Sequence, residues 1–172
     1  YSEETEELVL GTLINTRDSL VEVDNLLNED CFYINLHRKI YRIIKEIDSK
    51  GERYDVMAVW NKLRSTIDEN NENKERVDYL QITTNQCFDL PQHAMELNRL
   101  MAQRKNYELA QYLLSTVHFV GDPYEVQEEV IKRIQGIQAE QVSGVTTLRD
   151  AIEEVYNTIN NNLNNPEPVT GT

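Results

Sequence analysis

Residues 29–51 read EDCFYINLHRKIYRIIKEIDSKG. In the second half of this stretch, apolar side chains recur every three or four positions, which is the spacing of one face of an α-helix. The members of this stripe are Leu36, Ile40, Ile43, Ile44 and Ile47. Gly51 follows as a stop, because glycine readily adopts the left-handed conformation that ends many helices. We therefore predict a helix that starts with Asn35 as its N-cap and ends before Gly51.

The first half of the same stretch carries an acid, a thiol, a phenol and an imidazole, namely Asp30, Cys31, Tyr33 and His37. A nucleophilic cysteine would need His37 within hydrogen-bond reach and donors for an oxyanion, yet no glycine-rich turn flanks Cys31 to expose it. We therefore favour a structural role, in which Phe32 and Tyr33 add apolar mass and His37 is partly exposed or bonded to a neighbouring loop. A small thiol or metal enzyme that uses Cys31 and His37 is the alternative.

Outside this stretch nearly every apolar pattern also has the helical period, so we predict an all-α fold. Ser2 is the expected N-cap of a first helix, and a second short helix follows at residues 20–27. Asp55 is the expected N-cap of a fourth helix. The polar residues 67–76 are predicted to form a surface loop, followed by a brief helix at residues 77–84. These elements predict a small globular bundle of short helices.

The helical pattern becomes longer after Pro91. One helix is predicted from about residue 94 to residue 118, and Asp122 with Pro123 has the composition of an N-cap and first position of another. The short connection FVGDP makes these two helices an antiparallel hairpin. Such a hairpin cannot bury both of its sides alone, so we expect a second copy or another protein to cover it. The expected interface residues are Tyr107, Leu114, Val117, Phe119, Tyr124, Val130 and Ile134.

A separate last helix is predicted after Gly144. Its apolar stripe is narrow, and a helix of this kind is marginal in water unless it packs on something else. The residues expected to dock on a partner are Leu148, Ile152, Val155 and Ile159. The predicted organisation is a globular subdomain at 1–92, a hairpin at 93–142, and a linker helix with a flexible tail at 143–172.

The net charge of the chain argues against direct binding to nucleic acid. The chain has 17 basic and 30 acidic residues and a net charge of −13. A surface this negative repels phosphate backbones, and no basic stripe offsets it, so we expect no direct contact with DNA. The acidic clusters are interpreted as solvated helix faces. They are Glu3, Glu4, Glu6 and Glu7 in the first helix, and Glu128 with Glu129 in the hairpin.

Motifs for catalysis or cofactor binding are missing from the sequence. It has no glycine-rich phosphate-binding motif, and its three histidines and two cysteines lack metal-ligand spacing. We therefore predict no catalytic, cofactor-binding or metal-binding residue in this chain. No apolar segment is long enough to span a membrane. Cys31 and Cys87 fit the reduced thiols of a cytoplasmic protein.

Four segments in order resemble the N-terminal domain of the DnaB-family replicative DNA helicases. They are residues 6–13, 27–33, 37–41 and 51–59, and the later hairpin is also similar to that of the family. The residues that carry the motifs are Leu10, Gly11, Phe32, Tyr33, His37, Ile40, Ile44 and Asp55. Two features depart from the family pattern, namely Cys31 and the long polar loop at 68–74.

The resemblance implies the N-terminal collar of a hexameric helicase that unwinds DNA at the replication fork. In such a protein hairpins pair into dimers, the collar recruits primase, and the linker helix docks on a neighbouring subunit. The sequence PVTGT at residues 168–172 resembles the start of a RecA-like ATPase domain, which would bind ATP and Mg²⁺ and contact DNA. A helicase loader is a further possible partner, and the replicon would be bacterial, phage or plasmid. The alternative is a stand-alone helical adaptor or loader-type protein that binds helicase or primase.

Overall fold

The computed structural model describes residues 1–16, 18–68, 70–116 and 122–142, with side chains to residue 137 in the last helix. Every regular element in these residues is helical, which confirms the all-α prediction. The helices are α1 (Glu3–Asn15), α2 (Ser19–Val23), α3 (Asn35–Ser49), α4 (Val56–Arg64), α5 (Glu72–Thr84), α6 (Leu90–Ser115) and α7 (Pro123–Val142), with a short 3₁₀ turn at Glu29–Cys31.

The first helix lies at the centre of the globular part. It packs on α3, α5 and α6, and most of its residues from Val9 onward are buried. Its neighbours supply the rest of a single apolar core, to which α1 to α6 all contribute. The largest fully buried side chains include Tyr41, Tyr79, Phe32, Leu10, Leu13, Ile40, Ile44 and Leu97. Burial of this apolar surface is the main favourable term in folding.

Helix ends agree with the sequence at three points and differ at one. Ser2 and Asp55 are N-caps, and each accepts the backbone N–H three residues further on, at 3.3 and 2.8 Å. Gly51 has a φ of +68°, the left-handed conformation expected at a helix stop. Asn35 is instead the first residue of α3, and Ile34 occupies the N-cap position without a side-chain cap of its own. The predicted cap at Asn35 is therefore wrong.

The polar run at residues 67–76 contains the start of a helix, which the prediction of a loop missed. Helix α5 begins at Glu72, where its carboxylate lies 2.6 Å from the guanidinium of Arg64. Further along α5, the buried side chains of Tyr79 and Ile82 hold the helix against the core. The first turns of α5 have a weak apolar pattern, so the sequence did not predict a helix there. The position of α5 is fixed by the packing of its last two turns.

The long helix α6 belongs to both parts of the molecule. It begins at Leu90 rather than near residue 94, and Asp89 caps it by accepting the N–H of Gln92 at 3.0 Å. Its buried residues are Leu90, Ala94, Leu97 and Met101. The boundary predicted between residues 92 and 93 thus falls inside α6, and the helix enters the core before it joins the hairpin.

Helix α7 packs on the second half of α6, which confirms the helical hairpin. Asp122 caps the start of α7 by accepting the N–H of Tyr124 at 2.9 Å. The guanidinium of Arg133 lies 4.2 Å from the centre of the Tyr112 ring and joins the two helices. No described side chain of α7 is buried. No helix in the described ranges is both long and apolar enough to cross a membrane.

Some predictions fall outside the described residues. They concern Val117 and Phe119 of the hairpin and the predicted linker helix, with Leu148, Ile152, Val155 and Ile159.

Candidate functional site

Cys31 lies in an environment that suppresses thiol chemistry. Its side chain is fully buried and unpaired by any disulfide. The sulfur hydrogen-bonds with the Asn28 side chain at 3.5 Å, and it lies 3.9 Å from the sulfur of Met101. Burial raises the pKa of the Cys31 thiol above its ordinary value. Since the thiolate is the nucleophile, this cysteine is a core residue and not a catalytic one.

His37 is buried, contrary to the expectation that it is partly exposed or bonded to a loop. Only 3% of the residue is accessible. Its Nδ1 atom lies 2.8 Å from Oε2 of Glu6, which belongs to the central helix α1. His37 therefore makes no hydrogen bond to Cys31, so the two residues do not form a nucleophile–base pair. This arrangement argues against the alternative of a thiol enzyme.

Glu6 is the partner that the sequence reasoning missed. Its side chain is fully buried, so its assignment to a solvated helix face is wrong. One carboxylate oxygen accepts the N–H of Tyr33 at 2.8 Å, and the other accepts the N–H of Ile34 at 3.3 Å together with the bond from His37. Glu6 thus anchors the start of α3 from another helix, through the N–H of the N-cap residue Ile34 and of Tyr33 just before it.

A signal for the burial of Glu6 was present in the sequence. Glu6 precedes Val9, Leu10 and Leu13 by three, four and seven positions. These spacings place the glutamate on the apolar face of α1. A carboxylate on such a face is buried only when hydrogen-bond partners satisfy it. Its position on the helix could therefore have distinguished Glu6 from the solvated Glu3 and Glu4.

Gly11 marks the closest approach between two helices. A Cβ atom at this position would lie 1.9 Å from the carbonyl oxygen of Asn85 and 2.4 Å from that of Ile82. Asn15, one turn later, donates from its side chain to the carbonyl of Thr83 at 2.8 Å. The backbone of α1 therefore lies directly against the end of α5, and only glycine fits.

The other motif residues divide into two groups. Leu10, Phe32, Ile40 and Ile44 are fully buried in the core. Tyr33, predicted to belong to the core, is half exposed and stacks on Tyr1 at 4.2 Å between ring centres. Asp55 is exposed because its role is to cap α4.

The hairpin presents exposed apolar side chains on both helices. We define the hairpin surface as Tyr107, Leu113 and Leu114 of α6 with Tyr124, Ile131 and Ile134 of α7, all of which are exposed large hydrophobic residues. Four of them were predicted as interface residues, and Leu113 and Ile131 were not. Val130 is only half-buried. Six exposed apolar side chains on one projecting element distinguish the hairpin from an ordinary solvated surface.

No group of three or more His, Cys, Asp or Glu side chains in the described part of the chain could hold a metal ion.

Comparisons with known proteins agree on one family. The family described as "DnaB-like helicase N terminal domain" matches residues 1–99. Among solved structures, the fold is similar to the crystal structure of the N-terminal domain of DnaB helicase from Mycobacterium tuberculosis. The TM-score is 0.68 at 19% sequence identity, and the match covers 79% of this chain and 96% of that chain. No curated protein matches the chain significantly.

Proposed function

The chain belongs to the DnaB-like helicase N-terminal domain family, and from this premise we propose that it forms the collar of a replicative DNA helicase and self-associates through its helical hairpin. The observation that carries the proposal is the hairpin surface, whose six large apolar side chains have no cover within the described chain. Large exposed apolar patches are characteristic of protein–protein interfaces.

The arrangement of α6 favours a second copy of the chain as the cover. Past Met101 the helix leaves the globular core, so the globule cannot bury the outer half of the hairpin. Because both helices of the hairpin carry exposed apolar residues, two hairpins could pack on each other in an isologous dimer. Tyrosine and leucine are well suited to such a contact, since they contribute large apolar areas.

The remaining parts of the proposal rest on family membership. In the assembled helicase the collar would recruit primase, and a helicase loader is a further candidate partner. ATP and Mg²⁺ would be bound by a motor domain of the parent protein, which would also make the contacts with DNA. The net charge of −13 supports this division, because the collar would repel the DNA backbone. The protein would act in the cytoplasm, serving a bacterial, phage or plasmid replicon.

Self-association is tested by sedimentation velocity of the 172-residue chain across the micromolar range. We expect a concentration-dependent dimer or larger species, and we expect Leu114→Lys to weaken it at least tenfold, since a lysine would place a charge within an apolar contact. Leu80→Lys is the matched control, because Leu80 is also an exposed leucine but lies on α5 of the globule. A strictly monomeric wild-type chain, or equal effects of both variants, would refute the hairpin dimer.

A further inference from the structure

The α4–α5 groove is a cavity of about 280 Å³ on the globule, and its lining includes Met57, Trp60 and Arg64 of α4 with Arg76, Tyr79 and Leu80 of α5. Its floor is an aromatic pair, since Trp60 and Tyr79 are both buried and their ring centres lie 5.4 Å apart. The Tyr79 hydroxyl donates to the carbonyl of Val56 at 2.7 Å and so ties α5 to the start of α4. Met57 and Leu80 are exposed apolar side chains on either side of this floor. The floor is therefore held in place, while both sides are open to solvent.

The residue types in this groove are those that interfaces between proteins favour. Aromatic residues, methionine and arginine are enriched in interfaces, whereas lysine, aspartate and glutamate are depleted relative to the rest of the surface. The described residues of the lining include two arginines, a methionine and two aromatic residues, in a chain that has 30 acidic residues. The volume of about 280 Å³ lies below the range of about 300–1,000 Å³ that is typical of sites for small molecules. The groove therefore suits a few side chains of a protein partner.

The charged residues of α5 are sorted between its two sides. Arg76 lines the α4–α5 groove, whereas Glu75 and Asp78 line a separate cavity towards α1 and α3. The one acid among the described residues of the groove lining is Glu72, which pairs with Arg64 at 2.6 Å. Arg76 forms no ion pair with a described residue. A chain with a net charge of −13 therefore presents an uncompensated positive charge beside this apolar groove.

We propose that the α4–α5 groove is a docking site for an acidic amphipathic helix of another protein. A helix that binds in a groove inserts apolar side chains spaced three or four positions apart. These side chains would lie against Met57, Leu80 and the ring of Trp60. A carboxylate on the flank of the helix would pair with Arg76, because the planar guanidinium binds a carboxylate through two N–H groups. Complementary charge favours this partner over a basic helix. The groove lies on the globule, so the proposal is independent of the hairpin dimer.

Trp60 allows binding to be followed without a label. It is the one tryptophan of the 172-residue chain, so tryptophan emission reports on the floor of the groove. The probe is a synthetic peptide of about 15 residues, long enough to form an isolated helix, with a leucine stripe flanked by glutamates and no aromatic residue. One comparison peptide has lysine in place of glutamate, and another has alanine in place of leucine. We expect the first peptide to shift the emission of Trp60 to shorter wavelength until it saturates, and the other two to leave the emission unchanged.

Two pairs of variants locate the binding site. Arg76→Glu reverses the charge beside the groove, and Arg53→Glu makes the same change at an exposed arginine that lines a different cavity. Met57→Gln removes an apolar contact from the groove, and Met95→Gln on α6 is its matched control, since both methionines are exposed. We expect Arg76→Glu and Met57→Gln to weaken binding of the acidic peptide about tenfold, as is typical of an important interface side chain. The two controls should bind like the wild-type chain.

Three outcomes would overturn the proposal. The first is an unchanged Trp60 emission with the acidic peptide at millimolar concentration. The second is equal binding of the glutamate and lysine peptides, or equal weakening by a variant and its control. The third is an emission of the chain alone that changes with its own concentration and no longer does so in Arg76→Glu, since a second copy would then occupy the groove. If a variant fails to fold, the comparison of the three peptides still decides.

Discussion

The two halves of α6 carry three leucines each, yet they have opposite surroundings. In the half that enters the globule, Leu97 is 1% accessible, whereas in the half that joins the hairpin Leu114 is 72% accessible. The helix itself continues across the boundary without a break. The difference shows that helical periodicity decides the secondary structure, while the neighbouring elements decide which stripe is buried. Paired substitutions, one in each region, test this contrast.

Glycine substitutions should give the largest difference in stability between the globule and the hairpin. Gly11→Ala should destabilise the globule by more than about 3 kcal/mol, the upper end of overpacking, because the new methyl group would overlap backbone atoms that no rotamer change can move. Gly136→Ala in α7 should stabilise the hairpin by about 0.5–1 kcal/mol, since nothing lies within 4 Å of the added atom. Urea denaturation reports the first change, and hydrogen exchange of α7 amides reports the second.

A normal denaturation midpoint for Gly11→Ala would show that the end of α5 leaves room for a side chain at position 11 of α1.

Leucine substitutions should give the next largest difference in stability between the two regions. Leu97→Ala should lower the free energy of unfolding by about 3 kcal/mol, because it leaves a cavity in the core. Leu114→Ala should change it by less than about 0.5 kcal/mol, because the side chain is exposed in the single chain. Both are measured by urea denaturation at a protein concentration low enough to suppress association. A large loss in Leu114→Ala under these conditions would mean that the hairpin surface is covered within one chain.

Glutamate substitutions should give the smallest difference in stability between the two regions. Glu6→Gln should cost about 1–3 kcal/mol, since both oxygens of Glu6 accept backbone N–H groups and the new amide NH₂ must face one of them. Glu128→Gln on the exposed face of α7 should be neutral within about 0.5 kcal/mol. Thermal unfolding of both variants provides the measurement. Equal melting temperatures for the two would contradict the role of Glu6 as the anchor of the start of α3.

Most of the fold could be predicted because its signals are local. The stripe in α3, the caps at Ser2 and Asp55, and the stop at Gly51 depend on residues within a turn or two of one another. The start of α5 at Glu72 could not be predicted in this way, since its first turns are polar and its position depends on Tyr79 and Ile82 further along.

The candidate sites depend on distant contacts and were harder to predict. The carboxylate that anchors the start of α3 comes from Glu6, 27 and 28 residues before Tyr33 and Ile34, and no local pattern links these positions. Phe32 and Tyr33 were both expected to add apolar mass at the start of α3, but only Phe32 is buried and Tyr33 is half exposed. Part of the hairpin surface was predictable, since a two-helix element cannot bury both of its sides, but Leu113 and Ile131 were missed.

The continuity of α6 has a mechanical consequence. About 20 Å of this helix extends beyond Met101, at a rise of 1.5 Å per residue. To bend at the edge of the globule, the helix would have to break backbone hydrogen bonds, and no proline or glycine lies within α6 past Pro91 to lower that cost. The globule and the adjoining part of α6 should therefore move as one lever, so that a small tilt of the globule becomes a larger displacement at the outer end of this helix.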